Sequence, residues 1–260
     1  MELTILEKVL WPAVYAAQWG LLAHLWRTGL WRRYRNFTAY LLGLTAQDSV
    51  LLWLNPASAP YAYVYVAGIV PIAVLSLLAV GEIYQLALQP YRGIQTLSRW
   101  VLSGAMLIAV VVSVATVALD FTNPAEPYPI LRAFNAFQRT FSTAIILFLL
   151  AVNAYLVYFP VPTNRNTVTH TQAFLFYFAA RTAAFLVRNV LGPEVVPAAS
   201  AALLGVDLLC LGWWIVRLVP QGEAQPRPPN GRWSPAEAEV LLRQLEQLNS
   251  KLSGSWWRER

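Results

Sequence analysis

Seven apolar runs, each about as long as a bilayer is thick, leave this chain few folds to choose from. They cover residues 9–26, 37–54, 62–88, 100–119, 133–158, 171–191 and 198–219, and clusters of Pro, Asn and Arg separate them. A transmembrane helix needs about 20 mainly apolar residues, and a helix satisfies its own backbone hydrogen bonds where there is no water to do so. The inventory agrees: 57% of the residues are hydrophobic and 12% are charged, against about 45–50% and about 25% in a soluble domain. A surface facing water cannot be built from that. The expected fold is all-α, a polytopic integral membrane bundle of seven transmembrane helices over residues 1–219. A Pro-rich linker at 220–234 and a tail at 235–260 complete the expected organisation.

Orientation follows from the basic residues. Arg27, Arg32, Arg33, Arg35, Arg92, Arg99, Arg165 and Arg217 fall at one set of alternate run ends, and Lys8, Arg132 and Arg188 at the other. The side richer in Arg is expected to be cytoplasmic, with the N-terminus outside a bacterial cytoplasmic membrane. Glu2 and Glu7 stand where a cleaved signal would be basic, so the first run is expected to stay as an anchor. In the tail, Pro220, Pro226, Pro228, Pro229 and Asn230-Gly231 predict irregular chain, and Ser234-Pro235-Ala236-Glu237 predicts a helix start. Leu241, Leu245, Leu248 and Leu252 then make one apolar stripe, suited to the membrane or to a protein partner.

Several chemistries are excluded. Cys210 is the only cysteine, so neither a disulfide framework nor a cysteine metal site is expected. There is no Gly-rich phosphate loop, no His-Glu-x-x-His helix and no Gly-x-Ser-x-Gly elbow. No Lys lies in any run, which removes a retinal Schiff base. The net charge of +6 is accounted for by cytoplasmic Arg, and no nucleic-acid partner is expected. Neither enzymatic activity nor a cofactor is expected; haem or pigment ligation by His24 or His170 is the less favoured reading.

Ionisable residues inside apolar runs carry the functional argument, because each is costly in lipid unless paired or hydrated. Asp48, Arg139, Arg181 and Asp207 have similar expected depths in four different runs. Arg132, Asn135 and Arg139 share one helical face, as do Tyr177, Arg181 and Arg188. An Arg fork suits carboxylate or phosphate oxygens. The outer half of the bundle is therefore expected to hold a polar group of Asp48, Asn135, Arg139, Arg181, Arg188 and Asp207 that either binds a small anionic ligand or fixes helix docking by ion pairs. Glu82 is a second, inner-end polar site, with His24 and Arg92 as expected partners.

The stretch Arg33-Tyr34-Arg35-Asn36-Phe37 leading into Tyr40-Leu41-Leu42, with Gly81-Glu82-Ile83-Tyr84 further on, resembles a group of uncharacterised seven-span bacterial membrane proteins of acidobacterial type. That resemblance implies a membrane bundle and no particular activity. The functional expectation is a non-enzymatic, receptor-like binding module that signals through its tail helix. An accessory or scaffold subunit of a larger membrane complex is the alternative, and a secondary transporter using Glu82 is third.

Overall fold

Local stop signals and apolar runs set the helix boundaries. The computed structural model describes residues 5–55, 58–88, 104, 140–150, 164–191, 193–224, 239–240, 243–244 and 247. Among these, 93% of the structure is helical and there are no strands, so the all-α class holds. Helix α1 spans Ile5–Thr28 and stops at Gly29, whose φ of 73° only glycine adopts freely. A short 3-10 turn, Leu30–Arg32, leads into α2, Arg35–Leu52. Ser58 accepts the Tyr61 backbone N–H and so caps α3, which runs over Ala59–Leu88. Helix α4 spans Thr140–Leu150 and α5 Arg165–Leu191. Pro197 in its first turn opens α6, Val196–Arg217, and a single turn, α7, occupies Gln221–Ala224.

The neighbour relations close a ring. Helix α3 packs on α2, α2 on α1, α1 on α6, α6 on α5, and α5 returns to α3. Inside it lies one core, containing Leu21, Leu25, Tyr34, Phe37, Ile83, Tyr84, Phe174, Trp214 and Leu218, with Ile145, Phe148 and Leu149 of α4 joining it. These residues concentrate at the end of the ring where α1 gives way to α2, here called the Tyr34 end. The opposite end, where α2 gives way to α3, is the Trp53 end.

Outward faces are apolar too. Along α3, Val66, Val70, Val74 and Leu78 recur every four residues and all are exposed, a stripe that a water-facing helix would fill with polar side chains. Two helices, over Ala59–Leu86 and Val196–Arg217, are long and apolar enough to cross a membrane. Other expected features lie outside the described residues: Arg92, Arg132, Asn135, Arg139, the run at 100–119 apart from residue 104, the linker beyond residue 224, and Leu241, Leu245, Leu248 and Leu252; the first linker residues form the α7 turn and not irregular chain. In the tail, Glu239, Val240, Arg243, Gln244 and Gln247 are helical, and Glu239 pairs with Arg243 one turn later at 2.6 Å.

Candidate functional site

Two polar centres sit in this ring, one midway along it and one at the Tyr34 end. The midway centre contains three of the expected residues. Asp48 on α2 accepts a hydrogen bond from Gln18 Nε2 on α1 at 2.7 Å, with the Trp11 indole as a second donor. One residue on, Ser49 bonds Tyr15 at 2.9 Å, so a polar seam joins α1 to α2. Arg181 on α5 donates to the Tyr177 hydroxyl at 2.8 Å, and Tyr177 accepts from Tyr40 of α2. Asp207 on α6 lies within electrostatic reach of both Arg181 and Asp48, and Tyr65 of α3 faces the same guanidinium. Asp48, Arg181 and Asp207 are thus brought into one neighbourhood, though the hydrogen bonds of Asp48 and Arg181 go to neutral side chains.

The Arg181 surroundings are aromatic. Its guanidinium carbon sits 5.8 Å from the Tyr177 ring centre and 5.7 Å from that of Phe185. Arg188 approaches Phe185 at 5.8 Å, so aromatic and cationic side chains alternate along one face of α5. Such contacts hold a guanidinium in place without neutralising it. Arg181 and Asp207 are only partly covered despite lying deep among the helices. Gln18, Tyr40 and Tyr65 were not foreseen as members of this group. They are neutral, so the cost of burying charge does not single them out.

At the Tyr34 end Glu82 and His24 bond backbone groups and not each other, and Arg92, the other expected partner, lies outside the described residues. Glu82 Oε2 accepts the backbone N–H groups of Asn36 at 2.9 Å and Phe37 at 3.1 Å. It caps α2 from a different helix, because the first N–H groups of a helix have no partner within it and its N-terminus attracts negative charge. The stretches 33–42 and 81–84 therefore touch each other here. His24 Nε2 instead bonds the Leu218 carbonyl at the end of α6, at 2.7 Å. His170 is fully buried, walled by Tyr34 and Phe37 at ring separations of 4.6 and 4.7 Å and flanked by Phe174 and Trp214.

A third acid, Glu223 of α7, was not foreseen. Its carboxylate accepts from the Tyr34 hydroxyl, from Asn166 Nδ2 at 2.7 Å and from Asn164 Nδ2 at 3.4 Å, and it faces Arg33 at 3.7 Å. Asn166 also bonds the Val219 carbonyl at 2.9 Å. Gly222 is required beside it, since a Cβ there would collide with the Asn166 amide. Burial and the adjacent Glu223 carboxylate hold the Tyr34 phenol well above its ordinary value of 10.0, so it remains a donor. Asn164 and Asn166 before one apolar run and Glu223 just after another were the available signal, because both positions fall at the same end of the bundle.

Known protein families, curated proteins and solved structures were compared with the chain, and none matches. Among the described residues no group of His, Cys, Asp and Glu is placed to hold a metal ion.

Proposed function

We propose that the chain is a seven-span bundle of a bacterial cytoplasmic membrane, with its Tyr34 end cytoplasmic, and that it is a non-enzymatic binding module for a small anion. Two helices of spanning length and the apolar outward stripe of α3 support the membrane reading. The observation that carries the binding reading is the state of Arg181. It is a deep guanidinium held between Tyr177 and Phe185, one of its N–H groups on the Tyr177 hydroxyl, and it is only partly covered. A guanidinium has five donors in a rigid fork, which suits a carboxylate or phosphate entering from the Trp53 end. Asp48 and Asp207 orient the site, Arg188 adds positive charge nearer that end, and Arg139 belongs to the same proposed group. The tail helix would report occupancy to a partner. Glu82 serves as a helix cap, which favours the binding reading over a transporter coupled through that carboxylate.

Thermal unfolding of the full chain in detergent tests this. Succinate, citrate or inorganic phosphate should raise the midpoint, and Arg181→Gln should abolish the rise. A flat response to all three anions in the parent protein would remove the binding reading.

A further inference from the structure

The corner between α1 and α2 is built more rigidly than a connection needs to be. Gly29 turns the chain in the left-handed region, the Thr28 hydroxyl donates back to the His24 carbonyl at 2.7 Å, and Leu30 is driven into the core. Their combined effect is to lay Trp31 flat on Trp26, ring centres 5.0 Å apart and planes within 8°. Arg32 then places its guanidinium carbon 5.3 Å from the Trp31 centre. Trp26 is 69% exposed. Neighbouring arginines have other engagements, Arg33 with Glu223 and Arg35 within reach of Glu82, whereas Arg27 and Arg32 point outward on the exposed side. Next to this corner, where His24 joins Leu218, α6 repeats the arrangement with Arg217 at 4.8 Å over Trp213.

We propose that the Trp26–Trp31–Arg32 corner, with Arg27, is a binding site for the phosphate of an anionic phospholipid headgroup. The proposal rests on the reading of this chain as membrane-embedded. Stacking keeps the guanidinium oriented, and its fork matches phosphate oxygens. Indole rings favour the headgroup level. The surface running from this corner along α1 and α6 is apolar and exposed, through Trp19, Leu209 and Val216. A ligand fitting both parts has an anionic head and long apolar chains, which free phosphate lacks.

The full chain is reconstituted into nanodiscs of phosphatidylcholine alone or mixed with phosphatidylglycerol, released, and weighed by native mass spectrometry. Retention of phosphatidylglycerol over phosphatidylcholine is expected, falling about fivefold in Arg32→Gln. Trp31→Leu keeps every charge and should lower retention by a similar factor, because it removes the platform. Unfolding midpoints of both variants establish that they are folded. Equal losses for Arg27→Gln, Arg32→Gln and Arg35→Gln with none for Trp31→Leu would mean diffuse attraction to the leaflet and overturn the site. So would stabilisation by inorganic phosphate alone that Arg32→Gln removes. A chain that inserts into both kinds of disc but retains neither lipid preferentially loses the site and keeps the membrane reading. A chain that inserts into neither loses both.

Discussion

The two carboxylates at the Tyr34 end and the two midway along the bundle are accommodated by opposite means. Glu82 and Glu223 are surrounded by donors fixed in the backbone or in short amides: the α2 N–H groups for one, Asn164, Asn166 and Tyr34 for the other. Asp48 is held by the longer side chain of Gln18, and Asp207 meets Arg181 only through space. Short, rigid donors bring little conformational freedom to lose, so the first arrangement stabilises the fold. Long or distant ones leave capacity unused. The two pairs of carboxylates therefore differ less in depth than in what surrounds them.

The sharpest way to break this contrast is Glu82→Ala. If the carboxylate is structural, losing it leaves two N–H groups at the start of α2 without an acceptor and should lower stability by about 3 kcal/mol, as hydrogen bonds to a charged group are worth about 1.5–3 kcal/mol each. Glu82→Gln, which retains an acceptor oxygen, should recover part of the loss. Unfolding in detergent reads both. A stable Glu82→Ala protein would show that α2 does not depend on its borrowed cap.

Gly222→Ala probes the second carboxylate through its neighbour. The added methyl collides with the Asn166 amide, and overpacking of this kind costs about 1–3 kcal/mol. The loss should shrink in an Asn166→Ala background, because the obstacle is then gone. Additive losses in the double variant would place the strain elsewhere.

Tyr34→Phe removes one donor from Glu223 and should cost about 1.5 kcal/mol near neutral pH. It also changes the response to alkali. The folded protein keeps the phenol proton above pH 10 while the unfolded chain releases it there, so the folded state binds more protons and stability falls as pH rises past that point. Unfolding midpoints followed from neutral to alkaline pH should decline less steeply in Tyr34→Phe than in the parent. Parallel curves would mean that Tyr34 is not the titrating group.

What could be read in advance follows the same divide. Apolar runs announced α3 and α6, the two helices long and apolar enough to cross a membrane, because length and hydrophobicity are legible directly in a sequence. Asp48, Arg181 and Asp207 could be grouped by their positions within apolar runs, since a charge among apolar side chains must find a partner. Partners that are uncharged left no such trace: nothing in Gln18 or Tyr40 distinguishes a site residue from an ordinary helix-packing polar group. The cap on α2 was hidden for another reason, because backbone N–H groups carry no letter in a sequence, whereas His24 and Arg92 do. Glu223 stood beside Pro220 and read as the start of a linker, although α7 folds it back onto Tyr34.

The smallest effect on stability should come from Arg181→Lys, and it sharpens the contrast most. Lysine keeps the positive charge beside Asp207 and can still reach the Tyr177 hydroxyl, so the unfolding midpoint should correspond to a change of under about 1 kcal/mol. What it lacks is a planar fork between two rings. If Arg181 only balances charge, the lysine variant should match the parent in every measurement, including the response to succinate, citrate and phosphate. If the guanidinium is held ready for an anion, the variant should be nearly as stable as the parent yet lose most of the ligand-induced rise. A loss of several kcal/mol in Arg181→Lys would place Arg181 with Glu82, as a group whose geometry the fold itself requires, and the midway centre would then be structural too.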